Sequence, residues 1–359
     1  MIAFGWWRQV SLAVYFGCCN IGSTMSGNLT SSILTLDGEE LDVVLVKIGG
    51  SSLTHKATQE TINEQSLEWV SRTIVSSIDA SFLAASDDSA KTEVNQSLKR
   101  KRAFVVVHGA GSFGHHTAKK YDLQGRFDPP TSSSAFSGAL LSCQERRRTM
   151  QGLAKTRLSV QTLNRRLVES LVRHGVNAVG ISPCFAVPQL QAHGGGDSPE
   201  ATQETQSSLE RIVRDALQAG LVPVLHGDAC LYGRQEAGIL SGDVVMERLG
   251  LAPWVTHAIF LTDVAGVFES DPRLDPNAGL LRFIQIDKKS LEVVSPVLDA
   301  SGSSHEHDVT GGLQRKLASA AAIAASGINV TIAECGTLNG EKVMLGVRTN
   351  IEATTVYSV

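Results

Sequence analysis

The stretch Val105-Val106-Val107-His108-Gly109-Ala110-Gly111-Ser112-Phe113-Gly114-His115 decides how the rest of the chain is read. An apolar, β-branched run ends in a Gly-X-Gly turn, and a histidine follows four residues after the turn's last glycine. Glycines lack the Cβ that would keep a phosphate away from backbone N–H groups. A histidine just beyond adds a charge-assisted donor. Two further glycine loops repeat the theme: Lys47-Ile48-Gly49-Gly50-Ser51-Ser52 and Thr310-Gly311-Gly312-Leu313-Gln314-Arg315-Lys316. Three such loops, two with a lysine attached, point to a site for two phosphorylated ligands.

Around these loops the chain alternates strands with helices. Val43-Val44-Leu45-Val46 and Phe104 to Val107 read as strands buried on both faces. Further strands are expected at 176–181, 221–225, 258–261 and 329–332, with 343–346 as a last one. Pro223 suggests an edge or irregular position for its strand. Helices are expected at 59–80, 142–174, 207–219 and 310–326, the last three closed by Gly175, Gly220 and Gly327. Polar insertions fall near 81–102 and 189–206. The pattern predicts an α/β fold, a mainly parallel sheet covered on both faces, as a single domain over 41–359. Ligands in such sheets sit at the carboxyl ends of strands, where the glycine loops lie.

The 359 residues are 42% hydrophobic and 19% charged, an ordinary globular balance, and the net charge of -4 disfavours a nucleic-acid surface. Lys99-Arg100-Lys101-Arg102 reads as a solvated loop. The six cysteines form no C-x-x-C pair, so neither a zinc site nor a disulfide framework is expected. No stable membrane insertion is expected. Within residues 1–40, Val10 to Cys19 loosely resembles a signal-peptide core. The segment is expected to be a disordered or dispensable extension, with Met25 as an alternative start; a targeting element or a packed terminus are the other readings.

Each candidate residue has a plainer reading beside the functional one. Lys47 ends an apolar strand and either snorkels there or aims its ammonium at an anion; the glycines after it favour the anion. Lys56 alone would be a surface lysine. His108 is expected to be structural. His115, at a helix start, suits an anion, and His116 is expected to point elsewhere. In Ser241-Gly242-Asp243, one residue can cap a helix while the carboxylate holds lysines in place. Asp263, at a strand end, is placed for a nucleotide or its metal, or for an Asx-turn. The Gly311-Gly312…Lys316 arrangement is a phosphate grip, but not the P-loop pattern. The metalloprotease, α/β-hydrolase and protein-kinase signatures are absent.

Together, Lys47-Ile48-Gly49-Gly50-Ser51, His108-Gly109-Ala110-Gly111, Thr262-Asp263-Val264-Ala265-Gly266-Val267 and Gly311-Gly312 with Lys316 resemble the amino acid kinase superfamily. Ser112-Phe113-Gly114-His115 with Ala118-Lys119-Lys120-Tyr121, and Asp308-Val309-Thr310-Gly311-Gly312, are similar to its isopentenyl phosphate kinase branch. The resemblance implies a three-layer αβα sandwich and phosphoryl transfer from ATP, with Mg2+ brought by ATP, to isopentenyl phosphate. It implies that Lys47, Lys56, His115 and Asp243 are catalytic. Ala110, His115 and Gly242 would bind the acceptor phosphate. Lys47, Ile48, Gly49, Gly50, Ser51, Gly111, Asp263, Gly312 and Lys316 would bind ATP. It further implies small-molecule substrates, a homodimer and a cytoplasmic location. Ala110 stands where the family pattern has glycine, which is tolerated if its φ is negative but narrows the cradle. A kinase of another phosphate or phosphonate, or a nucleotide-sensing module, are the competing functions.

Overall fold

Residues along the first long strand alternate between two cores. Val43 and Leu45 join one apolar cluster, while Val44, Val46 and Ile48 join a second. A strand that buries both faces must lie inside a sheet with layers above and below. The computed structural model describes residues 33–86, 100–123, 142–184, 199–232, 236–270, 272, 274–275, 277–295 and 311–359. The expectations for residues 1–32, 87–99, 189–198 and 308–310 lie outside the described residues.

In chain order the elements begin with β1 (Thr35–Leu36), β2 (Glu39–Ile48), the single turn α1 (Gly50–Leu53), α2 (Glu64–Ser86), β3 (Lys101–His108), α3 (Gly111–Lys120) and α4 (Cys143–Arg173). Then come β4 (Ala178–Gly180), α5 (Pro199–Gln218), β5 (Val222–His226), β6 (Asp228–Tyr232), β7 (Glu236–Leu240), α6 (Gly242–Gly250) and β8 (His257–Thr262). The chain ends with β9 (Val267–Phe268), β10 (Leu280–Leu281), β11 (Phe283–Ile286), β12 (Val293–Ser295), α7 (Gly311–Ala325), β13 (Val330–Glu334), α8 (Leu338–Met344) and β14 (Thr354–Ser358).

The main sheet runs β12-β11-β14-β13-β8-β2-β3-β5-β4, with β1 paired to β2. From β13 to β4 every pairing is parallel. Antiparallel joins occur at β1–β2, β11–β12 and β13–β14. Side chains of α5, α6 and α7 fill one face, and those of α2, α4 and α8 fill the other. The three-layer αβα sandwich is therefore as expected. No helix among the described residues is long and apolar enough to cross a membrane.

Several boundaries moved for identifiable reasons. α2 starts at Glu64 rather than 59, because the Asn63 side chain accepts from Ser66 N–H at 3.2 Å and caps the helix there. α5 reaches back to Pro199, into the second polar insertion, with a proline at its first position. The expected strand at 343–346 is instead the end of α8, capped by the Thr337 side chain. A four-residue apolar run does not separate a strand from a buried helical turn. The last strand is β14, which the sequence reading missed, along with the β6–β7 hairpin. β5 is not an edge strand: β4 lies outside it, and Pro223 sits just before pairing with β3 begins at Val224.

Opposite the glycine loops, the sheet is pinned by a buried ion pair. Arg102, expected in a solvated loop, is instead buried at the start of β3: its Nε donates to Asp42 Oδ2 at 3.1 Å, and the guanidinium also donates to Ser77 Oγ and the Met344 carbonyl. Burial pushes the Asp42 carboxyl up, but bonds from His257 and Thr256 and the charges of His257 and Arg102 hold it well below the usual range. Its stabilising contribution is thus present above the unfolded pKa near 4 and is lost as pH falls through the lower, folded value. Asp42→Ala strands a buried guanidinium and is expected to cost about 3–5 kcal/mol in urea unfolding, because one charge of a buried pair is left uncompensated. The Michaelis constants of the distant site should not move.

Candidate active site

The strand alternation that buries Val43 and Leu45 places Lys47 on the same face. Its stem crosses Phe260, with Nζ 5.9 Å from the ring centroid. Its ammonium ends 2.8 Å from Asp243 Oδ1. Both side chains are largely buried. Asp243 Oδ1 makes no aligned hydrogen bond, so the contact acts as a charge pair. Asp243 is held in the first turn of α6, where the Ser241 side chain accepts from its N–H at 3.2 Å. Cap and lysine partner are thus different residues of one triplet, as the sequence suggested.

The glycine loops meet backbone to backbone. A Cβ on Gly109 would lie 2.7 Å from Gly50 N, and one on Gly50 would collide with Gly111. Gly111 has φ +52°, a conformation that L side chains rarely adopt. Thr54 fastens the junction: its hydroxyl donates to Gly50 O at 2.8 Å and accepts from Ser112 N–H at 2.9 Å. A Cβ on Gly242 would come within 3.3 Å of both Lys47 Cε and the His108 carbonyl. The ends of β2 and β3 and the start of α6 therefore surround one space. Ala110 has φ −68°, and its methyl packs where a Gly114 side chain would project. Ile48 is fully buried in the core, so only its backbone reaches this junction, accepting from Gly109 N–H at 3.0 Å.

A second set of charges closes the cleft. Lys316 Nζ donates to Thr262 Oγ1 at 2.7 Å, and Thr262 donates to Asp263 Oδ1 at 3.1 Å. Lys56 Nζ donates to Asp263 Oδ2 at 3.1 Å, in an exposed pair. Burial pushes the Asp263 carboxyl up, but the Lys56 bond and charge, together with bonds from its own N–H and Thr262, outweigh it and hold the carboxyl low. Burial, then the charges of Lys47 and Lys56, lower Lys316 to about 8, while Asp243 and Asp263 pull the other way. Gly312 lies in the first turn of α7, and Ser51 in α1.

His115 and His116 both lie exposed on α3. With Lys56, Gly111, Ser112 and Lys119 they line a cleft of about 350 Å³. Contrary to the sequence expectation, His116 faces this cleft too: its Nε2 lies 3.2 Å from the Lys56 carbonyl and ties that loop to α3. Neighbouring protein lowers the His115 pKa, with further lowering from His116 and Lys56, so the ring is neutral near pH 7 before an anion arrives. The sequence reading missed Gly227, whose Cβ would lie 3.1 Å from Gly242 N. The signal was available, since His226-Gly227 follows an apolar run just as His108-Gly109 does. Thr54 and Asn164 were also missed, and a lone Thr or Asn inside the pattern carries no comparable signal.

The lowered Lys316 pKa gives a signed expectation. Its ammonium is lost as pH rises through about 8, and a bound polyanion raises the pKa again. Calorimetric titration with ATP, the ligand the resemblance implies, should show proton uptake that sets in as pH rises through about 8, and binding that weakens above it. Lys316→Arg, charged at all accessible pH, should abolish the uptake.

Comparison with known proteins agrees with this geometry. The model of the amino acid kinase family matches residues 42–334. An isopentenyl phosphate kinase from Arabidopsis thaliana is 31% identical over 324 residues, covering 84% of this chain and 90% of that protein. One from Methanothermobacter thermautotrophicus is 27% identical over 309 residues, covering 85% and 96%. A solved structure of an isopentenyl phosphate kinase superposes with a TM-score of 0.62 at 23% identity, covering 88% of this chain and 99% of that one, which bears on the fold. The chain belongs to the amino acid kinase family, in its isopentenyl phosphate kinase branch.

Proposed function

We propose that this protein transfers the γ-phosphoryl group of ATP to isopentenyl phosphate, giving isopentenyl diphosphate and ADP. One observation carries the reading. Lys47, Lys56, Lys316, Asp243 and Asp263 converge on glycine turns packed too closely for any Cβ, with His115 on the rim. Such a cradle suits two phosphate-bearing ligands end to end, and two of the relatives above are named for this activity.

In this mechanism the attacking phosphate oxygen is already ionised, so no side chain has to remove a proton. Catalysis is alignment plus neutralisation of charge on the moving phosphoryl group. Lys47 bridges donor and acceptor from the strand end, and Asp243 fixes its direction. Lys56 neutralises charge on the transferred group. Gly50, Ser51, Gly111 and Gly312 offer backbone N–H groups to ATP, with Lys316 and Asp263 beside them; Gly49 lines the turn, its own N–H donated to the Leu261 carbonyl at 2.8 Å. Ala110 and Gly242 offer N–H groups to the acceptor phosphate, and His115 donates one ring N–H to it. Among the described residues, no group of three His, Cys, Asp or Glu is placed to hold a metal ion. As the family resemblance implies, Mg2+ would come with the ATP phosphates, with Asp263 placed to meet it, and would supply charge neutralisation. The family resemblance also supports a homodimer working in the cytoplasm.

ADP release with Mg-ATP and isopentenyl phosphate tests the proposal directly. Robust turnover is expected, with glutamate and acetylglutamate inert. Removing one preorganised donor costs about 10²–10³ in rate, so His115→Ala should fall by that much, and Lys47→Ala at least as far. Turnover with a phosphonate or carboxylate instead would replace the substrate. ATP binding without turnover on any acceptor would make the protein a sensor.

A further inference from the structure

β3 and β5 are parallel neighbours, and the register sets His108 opposite His226 at their carboxyl ends. Both rings are buried, 5.7 Å apart, on the sheet face opposite Lys47. Each does the same thing: Nδ1 lies 3.0 Å from the carbonyl of the following glycine, Gly109 or Gly227. That carbonyl only accepts, so each Nδ1 must carry the proton.

For His108 the tautomer is fixed from the other side as well. Asn164 Nδ2 lies 3.1 Å from the Val224 carbonyl and 3.2 Å from His108 Nε2. Facing a carbonyl, the Asn164 atom must be the NH2 group rather than its oxygen. Its second hydrogen then meets His108 Nε2, which must accept. The chain of donors reads Asn164 to His108 to Gly109 O, with no alternative assignment at any step.

The consequence falls on the next N–H. The Gly109–Ala110 peptide is planar, so turning its carbonyl toward the His108 ring turns the Ala110 N–H the opposite way. That way lies the face carrying Lys47 and Gly242. Among the described residues no backbone acceptor takes this N–H. Resting on the functional reading above, we infer that Asn164 and His108 are positioning residues for the acceptor phosphate: their hydrogen-bonded relay locks the Gly109–Ala110 peptide with its N–H aimed into the acceptor site. His226 locks the Gly227–Asp228 peptide in the same manner, without an asparagine behind it. Burial, then the charge of His226, holds the His108 pKa down at about 3, so the ring stays neutral and moves no proton. A relay of neutral groups serves alignment alone.

Two measurements test the relay. Nitrogen-15 NMR of histidine-labelled protein should show His108 as the Nδ1–H tautomer, with or without substrate. An Nε2–H tautomer would overturn the inference whatever the protein phosphorylates. In steady-state kinetics, His108→Leu removes the donor, whereas His108→Asn keeps a donor where Nδ1 was. Loss of one neutral hydrogen bond corresponds to about a tenfold effect. The Leu variant should raise the acceptor KM by about that factor with little change in the ATP KM, and the Asn variant should restore most of it. Equal rises in both KM values, or an Asn variant no better than Leu, would reduce His108 to packing. A wild-type protein inert toward isopentenyl phosphate would count against the functional reading, and the tautomer would still decide the relay.

Discussion

The charge pair between Lys47 and Asp243 is the contact around which the site is built. A lysine in a strand buried on both faces cannot be left alone, because an unpaired ammonium away from water is costly. The sheet solves this at its carboxyl edge. Phe260 shields the stem, and the first turn of α6 supplies the carboxylate. α6 must therefore start where Ser241 caps it, and Gly242 must be bare to let the lysine pass. Position of strand, helix start and loop are all set by one ammonium that is neutralised from one side and left open to a ligand from the other.

The sheet also divides labour between its faces. On the Lys47 face lie the charges, which respond to one another strongly enough to shift the Lys316 pKa. On the other face lie His108, His226 and Asn164, which are neutral and fixed by carbonyl acceptors. Alternation along a strand places adjacent residues on opposite faces. Val107 and His108, or Leu225 and His226, thus contribute to different layers although they are neighbours in sequence.

Much of this was readable from the chain. The parallel core, the layering, and the gathering of Lys47, Asp243, Asp263 and Lys316 follow from apolar runs ending in glycine or aspartate. What was not readable has physical reasons. Val343 and Met344 look like a strand because four apolar residues have no period. The role of His116 depends on a carbonyl sixty residues away, which no local pattern encodes. Asn164 sits in a long amphipathic helix, where a polar residue at a buried position looks like a flaw in the pattern until its partners are known.

The junction of Gly50 with Gly111 couples substitutions in two distant loops. Each loop occupies the volume where the other's side chain would be, so neither has a private space to vary in. Distant in sequence, the two share one packing constraint. A bulkier residue in one can persist only if the other retreats, and retreat would pull a phosphate-binding loop out of register with its partner. Ala110 shows one way around the constraint. Its methyl is directed along the helix into the vacancy at Gly114, so the demand for a bare Cα is passed one turn onward rather than removed.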